Sequence, residues 1–209
     1  MPLLQAPVLT LSKGLPNVPG GQFGELLDSK VSPDYYTLLK AGKMFTASVA
    51  GANVTAFVGG AAGTPLIGLF NPVGSGVDLV IIDVAVGIRT TGTAAVTLDF
   101  NHWLAAQGGI AVTGTNTNPR NMYSAVASGS VATAMGNVVN TAAVASALVR
   151  PSVSVGLTAV TAVTNVQILR DEIKGLIVVA PGNYYAFGGS ASTTAASVDA
   201  AVLWAEIPV

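Results

Sequence analysis

Residues 71–88 read NPVGSGVDLVIIDVAVGI, a proline-glycine turn running into a long β-branched stretch. Taken as a period-two strand, Val80, Ile82, Val84, Val86 and Ile88 share one face. The opposite face opens with Val77, Leu79 and Ile81 and only then turns to Asp83, Ala85, Gly87 and Arg89. A strand covered on one side alternates apolar with polar residues. This pattern therefore predicts a strand covered on both sides, with Leu79 and Ile81 in contact with something beyond the chain's own core.

Composition bears on what that cover is. Of 209 residues, 51% are hydrophobic and only 9% charged, against about 25% charged in ordinary soluble domains. The formal net charge is −1, so the chain lacks the charge that keeps a free monomer soluble. Cover by other subunits is the expectation: a homo-oligomer, with a trimer packed around an axis favoured. The membrane alternative fits poorly, because a spanning helix needs about 18 uninterrupted apolar residues. Asp78 and Asp83 interrupt one candidate stretch, and Asn140, Thr141 and Ser146 interrupt the other. The opening MPLLQAPVLTLSKGLP lacks a basic segment followed by an apolar one, so no signal peptide is expected and the chain reads as made in a cytoplasm. With no cysteine there are no disulfides and no thiolate metal ligands.

Residues 1–24 hold four of the eleven prolines (Pro2, Pro7, Pro16, Pro19), which rules out a helix or a central strand. We read 1–31 as an extended N-terminal arm. Its apolar residues, Leu3, Leu4, Val8, Leu9 and Leu11 (with Leu15 beyond them), must lie on something, and with Leu79 and Ile81 they are the candidate oligomer or shell interface. A short helix is punctuated over 32–43 by Ser32, Pro33, Asp34 and Gly42. From Met44 onward turn residues separate strands expected near 44–50, 53–58, 66–70, 77–89, 93–101, 109–113, 152–169, 175–180, 184–188 and 197–207. A second helix is expected within 119–135. The fold class is all-β: a jelly-roll-like β-sandwich, 32–209, with an N-terminal arm and one or two short helices.

Residues able to carry chemistry are sparse. His102, the only histidine, could act as a general base or metal ligand, but the strand ending Val96, Leu98, Phe100, His102 reads more simply as placing it at a strand end beside Trp103. Asp99 and Asn101 could offer two oxygens to a cation, yet lack the rest of a calcium loop. The glycine-rich stretches 59–65 and 74–76 are not followed by Lys-Ser/Thr and do not open helices, and no Gly-x-Ser-x-Gly is present. Asp171-Glu172, between Arg170 and Lys174, reads as a solvated turn. Nine basic residues spread along the chain form no cluster for phosphates, so nucleic acid is not an expected partner. No cofactor and no enzymatic activity are expected. A carbohydrate-binding sandwich would need an exposed aromatic platform, for which the only paired aromatics are Tyr35-Tyr36 and Tyr184-Tyr185.

Two patches carry a family resemblance: LIGLFNPVGSGVDLVIIDVAVGI (66–88) and GLIVVAPGNYYAFGGSASTTAASVDAAVLWAEIPV (175–209). With their NP-x-GSG turn and closing W-x-E-x-P, they resemble a group of tailed-bacteriophage virion structural proteins. The resemblance implies a β-sandwich that oligomerises on a virion as a head decoration (cement) protein, with the major capsid protein as partner and no catalytic residues. A single-jelly-roll shell subunit and a carbohydrate-binding sandwich of a tail fibre are the alternatives.

Overall fold

In the computed structural model, residues 35–54, 65–90, 95–106, 113–124, 129–139, 147–158, 168–191 and 196–209 are described. The arm, with Leu3, Leu4, Val8, Leu9 and Leu11, lies outside them. The chain divides into two units, Met1–Thr37 and Leu38–Val209, and every strand belongs to the second. Among the described residues one five-residue helix, α1 (Tyr36–Lys40), precedes eleven strands: β1 (Met44–Asn53), β2 (Ile67–Phe70), β3 (Val77–Thr90), β4 (Val96–Ala106), β5 (Thr113–Asn116), β6 (Arg120–Asn121), β7 (Thr133–Val139), β8 (Ala147–Leu157), β9 (Ile168–Val179), β10 (Asn183–Ala191) and β11 (Ser197–Pro208).

The strands form two antiparallel sheets, ordered β6-β1-β11-β3-β9 and β5-β7-β2-β10-β4-β8. Their pairing is nested: β1 pairs with β11, β2 with β10, β3 with β9 and β4 with β8. A long hairpin rolled up on itself gives this order, and two packed four-stranded layers built this way are a jelly roll. Strands β5–β7 are an insert between β4 and β8 that widens the layers at one edge. The sandwich expected from the turn spacing is the observed fold, and buried aromatic and aliphatic side chains pack between its sheets. Phe45 stacks on Trp204 at 6.1 Å and Phe100 on Phe187 at 5.8 Å, among buried Leu, Ile and Val from both layers.

The apparent two-faced strand has a local cause. Opposite β11, Leu203 pairs with Asp83 and Trp204 with Ile81, so Ile82 is an extra residue on β3. Such a bulge shifts the side-chain phase by one. Leu79 and Ile81 before it and Val84, Val86 and Ile88 after it therefore join one inter-sheet core, with Val77 packed at its margin. Leu79 and Ile81 are fully buried within a single chain. They are core residues, and the expectation that a second subunit covers them is corrected. The outward face of β3 carries Asp78, Asp83 and Arg89, together with half-buried Val80 and, at the bulge, buried Ile82.

Three further expectations change. The strands read at 44–50 and 53–58 begin as one, because Gly51, at φ +65°, supplies a bulge where a turn was expected. The stretch read as one strand, 152–169, holds the end of β8 and the start of β9. The second helix is absent from the described part of 119–135. Arg120 and Asn121 pair with β1 instead, and the Asn121 carboxamide accepts the next available N–H groups, from Tyr123 and Ser124. The first helix ends as read: Gly42, at φ +67°, donates to Leu39 and Lys43 to Leu38, the paired bonds of a Schellman cap.

Candidate functional site

Strand alternation carries His102 inward after Leu98 and Phe100, into the middle of β4 and away from Trp103. There the ring lies 5.1 Å from that of Phe187 and 6.0 Å from that of Tyr185, with no accessible surface. Its Nδ1 is 2.7 Å from the Tyr185 hydroxyl, and its Nε2 is 3.1 Å from Asp171 Oδ2. Arg150 Nη2 donates to the other Asp171 oxygen at 2.9 Å. One polar chain, Tyr185–His102–Asp171–Arg150, thus runs through β10, β4, β9 and β8 and crosses between the two sheets. It replaces two expectations, a strand-end histidine and a solvated Asp171 turn.

The tautomer follows from the partners. An ionised carboxylate only accepts, so Nε2 carries the hydrogen and donates to Asp171. Nδ1 then accepts from the Tyr185 O–H, and every group in the chain is satisfied with neutral imidazole. Burial depresses the His102 pKa, and the nearby Arg150 charge acts the same way, against the opposing pull of Asp171. For Asp171, burial acts to raise the pKa. Hydrogen bonds from Ser152 and His102 and the charge of Arg150 outweigh it and hold the carboxyl below its usual range. Burial, and then the charge of Asp171, push the Tyr185 hydroxyl well above its usual value.

Access is graded along the chain. The side chain of Arg150 is 38% exposed, Asp171 12%, and His102 and Tyr185 not at all. In this packing no substrate atom can reach the imidazole. The arrangement can hold a proton at a defined place and bind four strands together.

Residues of the two sequence patches, 66–88 and 175–209, have structural roles. Asn71 of the NP-x-GSG turn is fully buried, and its Nδ2 donates to the carbonyls of Val77 and Val179, both at 2.8 Å. Its own backbone bonds Asn183 and Gly182, so one residue joins β3, β9 and the approach to β10. Glu206 of the closing W-x-E-x-P is buried, and its Oε1 accepts from the Ser130 hydroxyl (2.6 Å) and the Val131 N–H (3.0 Å), fixing the approach to β7. Asp99 accepts from Ser154 and Ser190 on the neighbouring strands. Of the tyrosine pair, Tyr185 points into the core, and Tyr184, on the opposite face, is buried with Ala105 and Ala186 beside Phe70 and Trp103. It is therefore no exposed platform.

Among the described residues no group of three or more His, Asp or Glu side chains is placed to hold a metal ion. No known protein family matches the chain, and no curated protein sequence matches it.

Proposed function

We propose that the chain is a structural subunit of a virus particle, a head decoration protein that associates with copies of itself and binds the major capsid protein. One observation carries the reading. The strands at one flank of the jelly roll, β8 and β9, present large apolar side chains to solvent: Leu148, Val149, Ile168, Leu176 and Val178, with Leu176 80% and Ile168 71% exposed. A chain with 9% charged residues and an exposed apolar flank is suited to being covered. The assembly surface moves accordingly, from Leu79 and Ile81 to this flank. If the flank meets a different surface of its neighbour, the smallest ring that closes has three subunits.

Jelly rolls also serve as lectins and enzymes, so the fold alone does not decide the function. The burial of both Tyr184 and Tyr185 removes that pair as a sugar platform and favours a structural role. The nested strand pairing favours one second reading, a single-jelly-roll shell subunit. Light scattering on the purified protein, alone and mixed with phage heads, separates the readings. A decoration protein gives a small closed oligomer, about three chains, that cosediments with heads. A shell subunit closes into large particles by itself. A monomer that ignores heads would overturn both.

A further inference from the structure

Burying four polar side chains where apolar ones would pack is unfavourable unless every hydrogen bond is met. Here all are met in only one protonation state. We propose that Tyr185, His102, Asp171 and Arg150 form an acid-sensitive latch that fastens the flanking strands β8 and β9 to the core, opened by a proton taken up at His102.

The geometry sets the mechanism. When His102 gains a proton, it bears N–H groups on both nitrogens. Nε2–H still meets Asp171, but Nδ1–H now faces the Tyr185 oxygen, from which it had been accepting a bond at 2.7 Å. Tyr185 can accept only by turning its own hydrogen away, and among the described residues its fully buried hydroxyl has no hydrogen bond besides the one to His102. A buried donor without an acceptor is costly. The protonated ring is better served by water, which it reaches when the β8–β9 side opens, because the chain leads to solvent there, at Arg150.

Among the described residues, the charged or titratable groups facing His102 are few. Strand β8 offers Arg150, β9 offers Asp171 and β10 offers Tyr185, while Asp99 on its own strand bonds Ser154 and Ser190 instead. Asp171 titrates below the usual carboxylate range and Tyr185 far above neutrality. Between pH 5 and 7.5 only the imidazole of this cluster changes charge. The depressed His102 pKa agrees in direction, since opening then takes up a proton. Linkage gives the size. Below the free-histidine value of about 6.5, the opening equilibrium rises about tenfold per pH unit until the buried ring itself titrates. The strands released are those carrying Leu148, Val149, Ile168, Leu176 and Val178, so acid alters the exposed flank itself. The latch belongs to the folded chain and stands whatever that flank binds.

His102 is the only histidine, so its imidazole gives a single NMR signal in the unmodified protein. The experiment follows that signal and amide hydrogen exchange together from pH 7.5 to 5, with exchange corrected for its intrinsic pH dependence. The latch predicts an Nε2–H tautomer at pH 7.5, and protection lost in 147–157 and 168–179 with a slope near one proton, while β1 and β11 keep theirs. In His102→Asn the slope vanishes. Protection in β8 and β9 that is flat with pH, or that falls equally in β1 and β11, would overturn the proposal. So would an unchanged slope in the variant. If the variant does not fold, the wild-type titration decides alone.

Discussion

The two flanks of this sandwich are held by different physics. On the β1–β11–β3 side, Phe45, Trp204, Leu79, Ile81 and Val202 belong to one apolar core with no titratable side chain among them. Removing such side chains from water stabilises by about 1.5–3 kcal/mol each, and nothing in that contact titrates. On the β8–β9 side, burial is partial, apolar side chains face solvent, and the tie to the opposite sheet is a hydrogen-bonded chain ending on a half-exposed arginine. Apolar packing fastens unconditionally. A buried polar chain fastens under one set of conditions and lets go under another.

Substitutions can break or sharpen this contrast. The largest effect is expected from Ile81→Lys. An ammonium in the dry contact has no partner, and a loss above about 4 kcal/mol should leave little folded protein. Circular dichroism and urea unfolding read this out; a folded, soluble variant would mean that Ile81 is a surface residue after all. Next is His102→Asn, which leaves the Tyr185 and Asp171 partners unmet and should cost about 2–4 kcal/mol at pH 7.5.

That second loss should itself depend on pH. The folded-state pKa of His102 lies below its unfolded value, so its stabilisation is fully present above about pH 6.5 and fades as pH falls through the folded value. The gap between variant and wild type, measured by urea midpoints, should narrow on acidification. A gap that widens would reverse the assigned direction.

Asn71→Ala should come third, at about 1–3 kcal/mol, because it strips two carbonyls of their buried donor at the pole shared by both flanks. Its effect should be the same at pH 7.5 and 5.5. Smallest in stability is Leu176→Lys, within about 0.5 kcal/mol, since that side chain already faces water. Its readout is assembly: the scattering mass should fall while the unfolding midpoint stays put.

The comparison also shows which parts of the molecule were legible in the sequence. Strands with unbroken alternation could be read, and the shared phase of Leu98, Phe100 and His102 holds in the structure. So does the cap at Gly42. The bulge at Ile82 could not be read, because one extra apolar residue inside an apolar run leaves the composition unchanged while reversing the phase. Leu79 and Ile81 were misplaced for that reason alone. Asp171 was nearly legible: Leu169, Asp171 and Ile173 alternate with charged Arg170, Glu172 and Lys174, which marks an inward carboxylate. Reading 152–169 as a single strand concealed it. The pairing of His102 with Asp171 spans 69 residues and is set by how the hairpin rolls, which no local pattern encodes.

The nested strand order has a mechanical consequence. Met44, where β1 begins, lies opposite Ala205 near the end of β11, so the chain enters and leaves the sandwich at one pole. Antiparallel ladder bonds lie across the strands, and tension between Lys43 and Val209 would load them one at a time. The sandwich would unzip from that pole like a peeled strip, at low force. Tension between Val209 and the opposite end of β1, near Asn53, would instead load the β1–β11 ladder in shear, with many bonds resisting together. Where force is applied to the sandwich therefore decides how much strain it can bear.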